Sequence, residues 1–134
     1  MTQLAASEAP YLRADDTEMR RSGPTYTIDT LEARDDKVVL ILGSDSATRI
    51  PTWHRADDVL ALATIAVVPR PTVPFTAVTE AIGDSYVPIE MPTLDLSATQ
   101  IRDHIRNHLT PRFLVPPSVL QYIATNGLYI NRDA

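Results

Sequence analysis

Three short stretches concentrate side chains able to do chemistry. In Leu94 to Arg102, Ser97 and Thr99 sit at the start of a predicted helix and Arg102 follows one turn later. Free backbone N–H groups, the positive end of the helix dipole, two hydroxyls and a guanidinium converge there, a combination that suits a phosphate chain. The alternative is a well-capped amphipathic helix with Arg102 in water. In Gly43-Ser44-Asp45-Ser46 a glycine lets the backbone approach a ligand, and Asp45 is able to accept hydrogen bonds from sugar hydroxyls. Helix capping by Ser or Asp explains the same residues. Pro51 to Arg55 holds the only tryptophan, Trp53, whose face suits stacking on a flat heteroaromatic ring or packing under a loop. His54 beside it is able to touch a phosphate or to stand alone on the surface. His104 and His108 are four residues apart, but no third ligand accompanies them, so no metal site is expected.

Composition narrows the setting. The 134 residues are 44% hydrophobic, enough for one domain with a core, and one domain spanning 1–134 is expected. The absence of cysteine removes disulfides and thiol chemistry and fits a reducing, cytoplasmic compartment. No run of about eighteen apolar residues and no basic leader occurs, so neither a membrane span nor an export signal is expected. A formal charge of -5 argues against nucleic acid as a partner while permitting a local basic pocket for a small anion.

The elements that must position these stretches alternate along the chain. Thr2 to Ser7 is helical, and Tyr11 to Met19 is predicted as an extended strand ending at Gly23-Pro24. Tyr26 to Arg34 is a helix, with Thr25 or Thr27 available as its cap and Ile28 and Leu31 on one face. Lys37 to Leu42 is a β-branched run stopping at Gly43, as expected of a central parallel strand buried on both faces. Helix Asp57 to Ala63 and strand Thr64 to Val68 complete a βαβ unit, which makes an α/β sheet the expected architecture. Val87 to Glu90 is a third strand, pushed to an edge by Pro88. Helices Ser97 to His108 and Pro117 to Thr125 follow, the second stopped by Asn126-Gly127. Ligands of such sheets sit beyond the carboxyl ends of the strands, where the Gly43, Pro51 and Leu94 stretches are expected.

Taken in order, Arg21-Ser-Gly-Pro-Thr-Tyr-Thr-Ile-Asp-Thr-Leu31, Ile41-Leu-Gly-Ser-Asp45, Pro51-Thr-Trp53, Val68-Pro-Arg-Pro71, Leu96-Ser-Ala-Thr-Gln-Ile-Arg102 and Phe113-Leu-Val-Pro116 resemble the bacterial nicotinate-nucleotide adenylyltransferases. The resemblance implies a Rossmann-like nucleotidyltransferase fold, a parallel sheet with flanking helices. It also implies a reaction of ATP with nicotinate mononucleotide that gives nicotinate adenine dinucleotide and pyrophosphate, with Mg2+. By the same resemblance Trp53 stacks on the pyridine ring, and Tyr26 and Thr27 line its pocket. Gly43 and Asp45 face the nucleotide, Ser97, Thr99 and Arg102 hold the ATP phosphates, and Arg70 points into the cleft.

The chain departs from the family at one point. The family's glycine-rich turn, Gly-Gly-x-Phe-x-Pro-x-His-x-x-His, is not found in the 134 residues, so no catalytic residue is carried over. The resemblance then implies an incomplete domain whose first two strands are missing. Without them the strand Lys37 to Leu42 is expected to present an open apolar edge, with self-association or a complementing chain to cover it. A non-catalytic nucleotide-binding module is the alternative reading.

Overall fold

The β-branched runs pair as parallel strands because each can bury apolar side chains against helices that follow it in sequence. In the computed structural model, which describes residues 1–130, β1 (Val38–Gly43) pairs with β2 (Ala63–Val68) in the register Val38 to Ala63 through Gly43 to Val68. The short β3 (Val87–Pro88) pairs in parallel with the other side of β2, giving the order β1-β2-β3. Pro88 has no N–H to donate, and the next ladder bond comes instead from Ile89, whose N–H lies 2.8 Å from the Val67 carbonyl. The fold is therefore the expected α/β class.

β2, not β1, is the central strand. Ala63, Ile65, Ala66 and Val67 are all buried. In β1 burial alternates: Val38, Leu40 and Leu42 pack against the core, whereas Val39 and Ile41 are 57% and 63% exposed. The expectation that β1 is buried on both faces fails because the strand has one neighbour and the core lies on one face.

Two compact units divide the chain, one formed by Thr17–Asp95 and the other by Met1–Asp16 with Leu96–Ala134. In the first, α2 (Thr27–Glu32) sends Ile28 and Leu31 into the core, α4 (Ala56–Leu62) sends Val59, and α5 (Phe75–Ile82) sends Val78 and Ile82. Complete burial of an aliphatic side chain contributes about 1.5–3 kcal/mol, and Ile28, Ile50, Ile65, Val59, Val67 and Val78 are the largest apolar examples. The four-residue α3 (Ser44–Ala47) follows directly on β1.

In the second unit, α1 (Thr2–Ala6) contacts α7 (Pro117–Thr125), and the Ser118 hydroxyl donates to the Glu8 carboxylate at 2.5 Å. α7 starts on Pro117, where a missing N–H costs nothing, and ends where Gly127 takes φ +58°. α6 (Ala98–Arg106) also belongs here. Tyr11 to Met19 is not a strand: this stretch is irregular up to a 3-10 turn at Glu18–Arg20, and Tyr11 and Met19 are exposed. Among the described residues no helix is long and apolar enough to cross a membrane.

Candidate functional site

At the carboxyl end of β1 the backbone of Gly43 has φ -70° and ψ 152°, a conformation open to any residue. Space, not conformation, requires glycine here. A Cβ at this position would collide with the Asp45 carboxylate and lie 2.9 Å from Arg70 Nε. The vacancy lets Arg70, arriving just after β2, lie across the strand end with Nε 3.6 Å from Asp45 Oδ1. Both side chains are about half exposed, at 45% and 50%, so the pair faces a wet cleft and is weak as a structural bond.

Ser44 has another task. Completely buried, it donates from Oγ to the Val73 carbonyl at 2.7 Å and accepts from the Arg70 N–H at 3.1 Å. It pins the loop after β2 to the end of β1 and thereby places Arg70. The capping explanation of Gly43 to Ser46 is not what these residues do, since α3 has no side-chain cap. A pocket of about 210 Å³ opens beside them, lined by Leu42, Gly43, Val68, Arg70, Met91 and Leu94. Its lining sets the Arg70 guanidinium beside an apolar floor of Leu42, Val68, Met91 and Leu94, a combination that suits an anionic group with an apolar neighbour.

The second cluster lies along α2. A 3-10 turn over Ile50–Thr52 delivers Trp53, half-buried against the hydrophobic core. The next residue, His54, places its ring 4.3 Å from that of Tyr26, with the planes tilted by 34°. Tyr26 is the N-cap residue of α2 and Thr27 its first turn; neither Thr25 nor Thr27 supplies a side-chain cap, correcting that expectation. Arg21 instead fixes the approach to α2, donating to Thr30 Oγ1 at 3.1 Å and to the Asp29 carbonyl at 2.8 Å. Arg55 bridges Glu32 and Asp58 at 2.8 and 2.6 Å, and its hydrogen bonds to Glu32 and then Asp58 raise its pKa above the ordinary arginine value. Sequence reasoning singled out neither Ser44 as a buried pin nor Arg55 as a bridge.

In the other unit, Ser97 and Gln100 form a reciprocal capping box at the start of α6. The Gln100 N–H donates to Ser97 Oγ at 3.2 Å, and the Ser97 N–H donates to Gln100 Oε1 at 2.7 Å. Ser97 thus serves as a cap, while Thr99 is exposed in the first turn. Arg102 does not stand in water alone: its guanidinium carbon lies 5.8 Å from the centre of the Tyr129 ring, a cation–π contact. Of the residues read as a site, Tyr26, Thr27, Gly43, Asp45 and Trp53 share the Thr17–Asp95 unit, and Ser97, Thr99 and Arg102 share the other. Among the described residues, no three His, Asp or Glu side chains are grouped to hold a metal.

No family model matches the chain. Individual relatives do. A probable nicotinate-nucleotide adenylyltransferase of Dehalococcoides mccartyi (strain ATCC BAA-2266 / KCTC 15142 / 195) is 36% identical over 143 residues, covering 96% of this chain and 69% of that protein. Another, of Herpetosiphon aurantiacus, is 37% identical over 142 residues, covering 97% and 71%. A third, of Acidothermus cellulolyticus, is 34% identical and covers 99% and 69%. The fold is similar to a solved structure described as Plasmodium falciparum nicotinic acid mononucleotide adenylyltransferase complexed with APC. That similarity has a TM-score of 0.62 at 19% identity and covers 81% of this chain and 60% of that one. With a parallel sheet carrying a glycine, an aspartate and an arginine at its carboxyl edge, and identity above a third along nearly its whole length, the chain belongs to the nicotinate-nucleotide adenylyltransferase family.

Proposed function

We propose that this chain carries the substrate-holding part of an adenylyl transfer from ATP to nicotinate mononucleotide, in the cytoplasm, with its two units acting as one nucleotidyltransferase-like domain. A phosphate oxygen of the mononucleotide attacks the α-phosphorus of ATP. The bond from that phosphorus to the oxygen bridging to the β-phosphate breaks, and pyrophosphate leaves with the electron pair. The protein's part in such a reaction is to align two anionic substrates and offset charge developing on the phosphates.

The observation that carries the reading is the relationship to probable nicotinate-nucleotide adenylyltransferases over 96% and 97% of the chain. In it, Trp53 stacks on the pyridine ring, and Tyr26 and Thr27 form the neighbouring wall. Gly43 and Asp45 meet the nucleotide at the end of β1, with Asp45 accepting from sugar hydroxyls and Arg70 opposing phosphate charge. Thr99, Arg102 and the exposed side of Ser97 receive the ATP phosphates at the N-terminal end of α6. Mg2+ brought in on the triphosphate would offset charge on the phosphates that these residues receive. None of the named residues takes the part of the family's turn histidines. A second chain adding to β1 accords with the strand order, in which β1 pairs on one side alone among the described residues.

The test is pyrophosphate release from ATP and nicotinate mononucleotide with Mg2+, alongside calorimetric binding of each nucleotide. Turnover supports the transfer reading; binding without turnover supports the alternative, a nucleotide-binding module. Failure to bind either nucleotide overturns both. Trp53→Ala is expected to weaken nicotinate-mononucleotide binding about three- to ten-fold, the factor an aromatic stacking pair supplies, and unchanged affinity removes Trp53 from the pocket.

A further inference from the structure

Within the described residues of the Thr17–Asp95 unit, a single non-glycine residue has a left-handed backbone. It is Arg55, at φ 55° and ψ 49°. L side chains disfavour this region, and such residues persist where surrounding contacts over-determine them. The contacts here are specific. Arg55 Nη2 lies 2.8 Å from Glu32 Oε1 at the end of α2, and Nε lies 2.6 Å from Asp58 Oδ2 in the first turn of α4. One residue earlier, the His54 ring meets the ring of Tyr26 at the start of the same α2. The short segment leading out of Trp53 is therefore tied to both ends of one helix, by rings at one end and by charge at the other.

We propose that Arg55 is a positioning residue: by bridging Glu32 and Asp58 from a left-handed backbone, it fixes the Trp53–His54 segment against α2 and sets the indole where a pyridine nucleotide meets it. The last clause rests on the reading of Trp53 given under Proposed function. The bridge itself does not, because a trans-helical tie would hold Trp53 in place with or without a ligand. A right-handed or extended Arg55 would turn the entry to α4 and carry Glu32's partner away from α2. The charged heads are between 43% and 50% exposed, so the tie is salt-sensitive and its effect on affinity is modest.

Trp53 is the only tryptophan, so its fluorescence reports this segment without labelling. Arg55→Gly removes the bridge while leaving a residue that accepts the left-handed backbone at no steric cost. Glu32→Gln removes one carboxylate and keeps the arginine, and Arg55→Lys keeps the charge. Arg55→Gly is expected to raise acrylamide quenching of Trp53 and lower its anisotropy, with far-UV circular dichroism unchanged. It should also weaken nicotinate-mononucleotide binding about three-fold, the factor that half-exposed ion pairs supply. Glu32→Gln should move both readouts in the same direction by less, and Arg55→Lys should restore part of each. Quenching equal to the parent in both Arg55→Gly and Glu32→Gln overturns the proposal. So does a loss of affinity without a change in quenching, since Arg55 would then act on the ligand directly. If the parent protein binds no nicotinate mononucleotide yet quenching rises in the variants, the pocket reading falls and the tie is upheld.

Discussion

The end of β1 and the start of α6 both present small polar residues, yet they are organised over different distances. At α6 the two partners of the capping box, Ser97 and Gln100, are three residues apart, so their bonds form as soon as the helix does. At β1, Ser44 bonds to groups 26 and 29 residues away, across the whole of α4 and β2. A local device holds a helix end; a long-range one holds a site together. Disrupting the first should affect one element, and disrupting the second should displace Arg70 as well as destabilise the unit.

The largest effect is therefore expected from Ser44→Ala. It removes two part-buried hydrogen bonds, to the Val73 carbonyl and from the Arg70 N–H, each worth about 0.5–1.5 kcal/mol in urea unfolding. ATP affinity should fall with it, because Arg70 loses its anchor. Stability equal to the parent would mean the buried hydroxyl is not the pin. Ser97→Ala should cost less, about 0.5–2 kcal/mol with about 1 as the centre, and the amides that lose hydrogen-exchange protection should be confined to the first turn of α6. Loss of protection spreading through α7 would show that the cap is not a local device. Asp45→Asn should change stability least, by about 0–1 kcal/mol, because its ion pair is half exposed at 3.6 Å. Its signature is functional: if Asp45 accepts from sugar hydroxyls, nucleotide binding weakens while the unfolding midpoint holds, and unchanged binding removes it from the pocket.

The same difference in range explains what could be read along the chain. Helix α7 and its stop at Gly127, the starting region of α6, and the runs forming β1 and β2 were legible because periodicity, β-branching and capping chemistry act between near neighbours. Helix α5 was missed among the prolines that precede it, although Phe75, Val78 and Ile82 carry helical spacing. Helix α3 is only four residues long, too short for a periodic signal. Tyr11 to Met19 alternates only loosely, and the structure shows it irregular, so a weak period-two pattern alone did not identify a strand. Gly43 was read as a place for a ligand to approach, and the structure adds that its missing Cβ makes room for Asp45 and Arg70. Arg55 offered no sequence signal at all, since a left-handed arginine depends on carboxylates contributed by two helices.

By itself the sequence determined the α/β class, the two apolar parallel strands and the residue types gathered at their ends, because these follow from local propensity and burial period. Tertiary structure decided that β2 is buried as the central strand, that Ser44 is a pin, and that Arg55 ties Trp53 to α2. Each of those depends on which distant groups come within hydrogen-bonding reach, and that is set by packing, not by any property of the neighbouring residues.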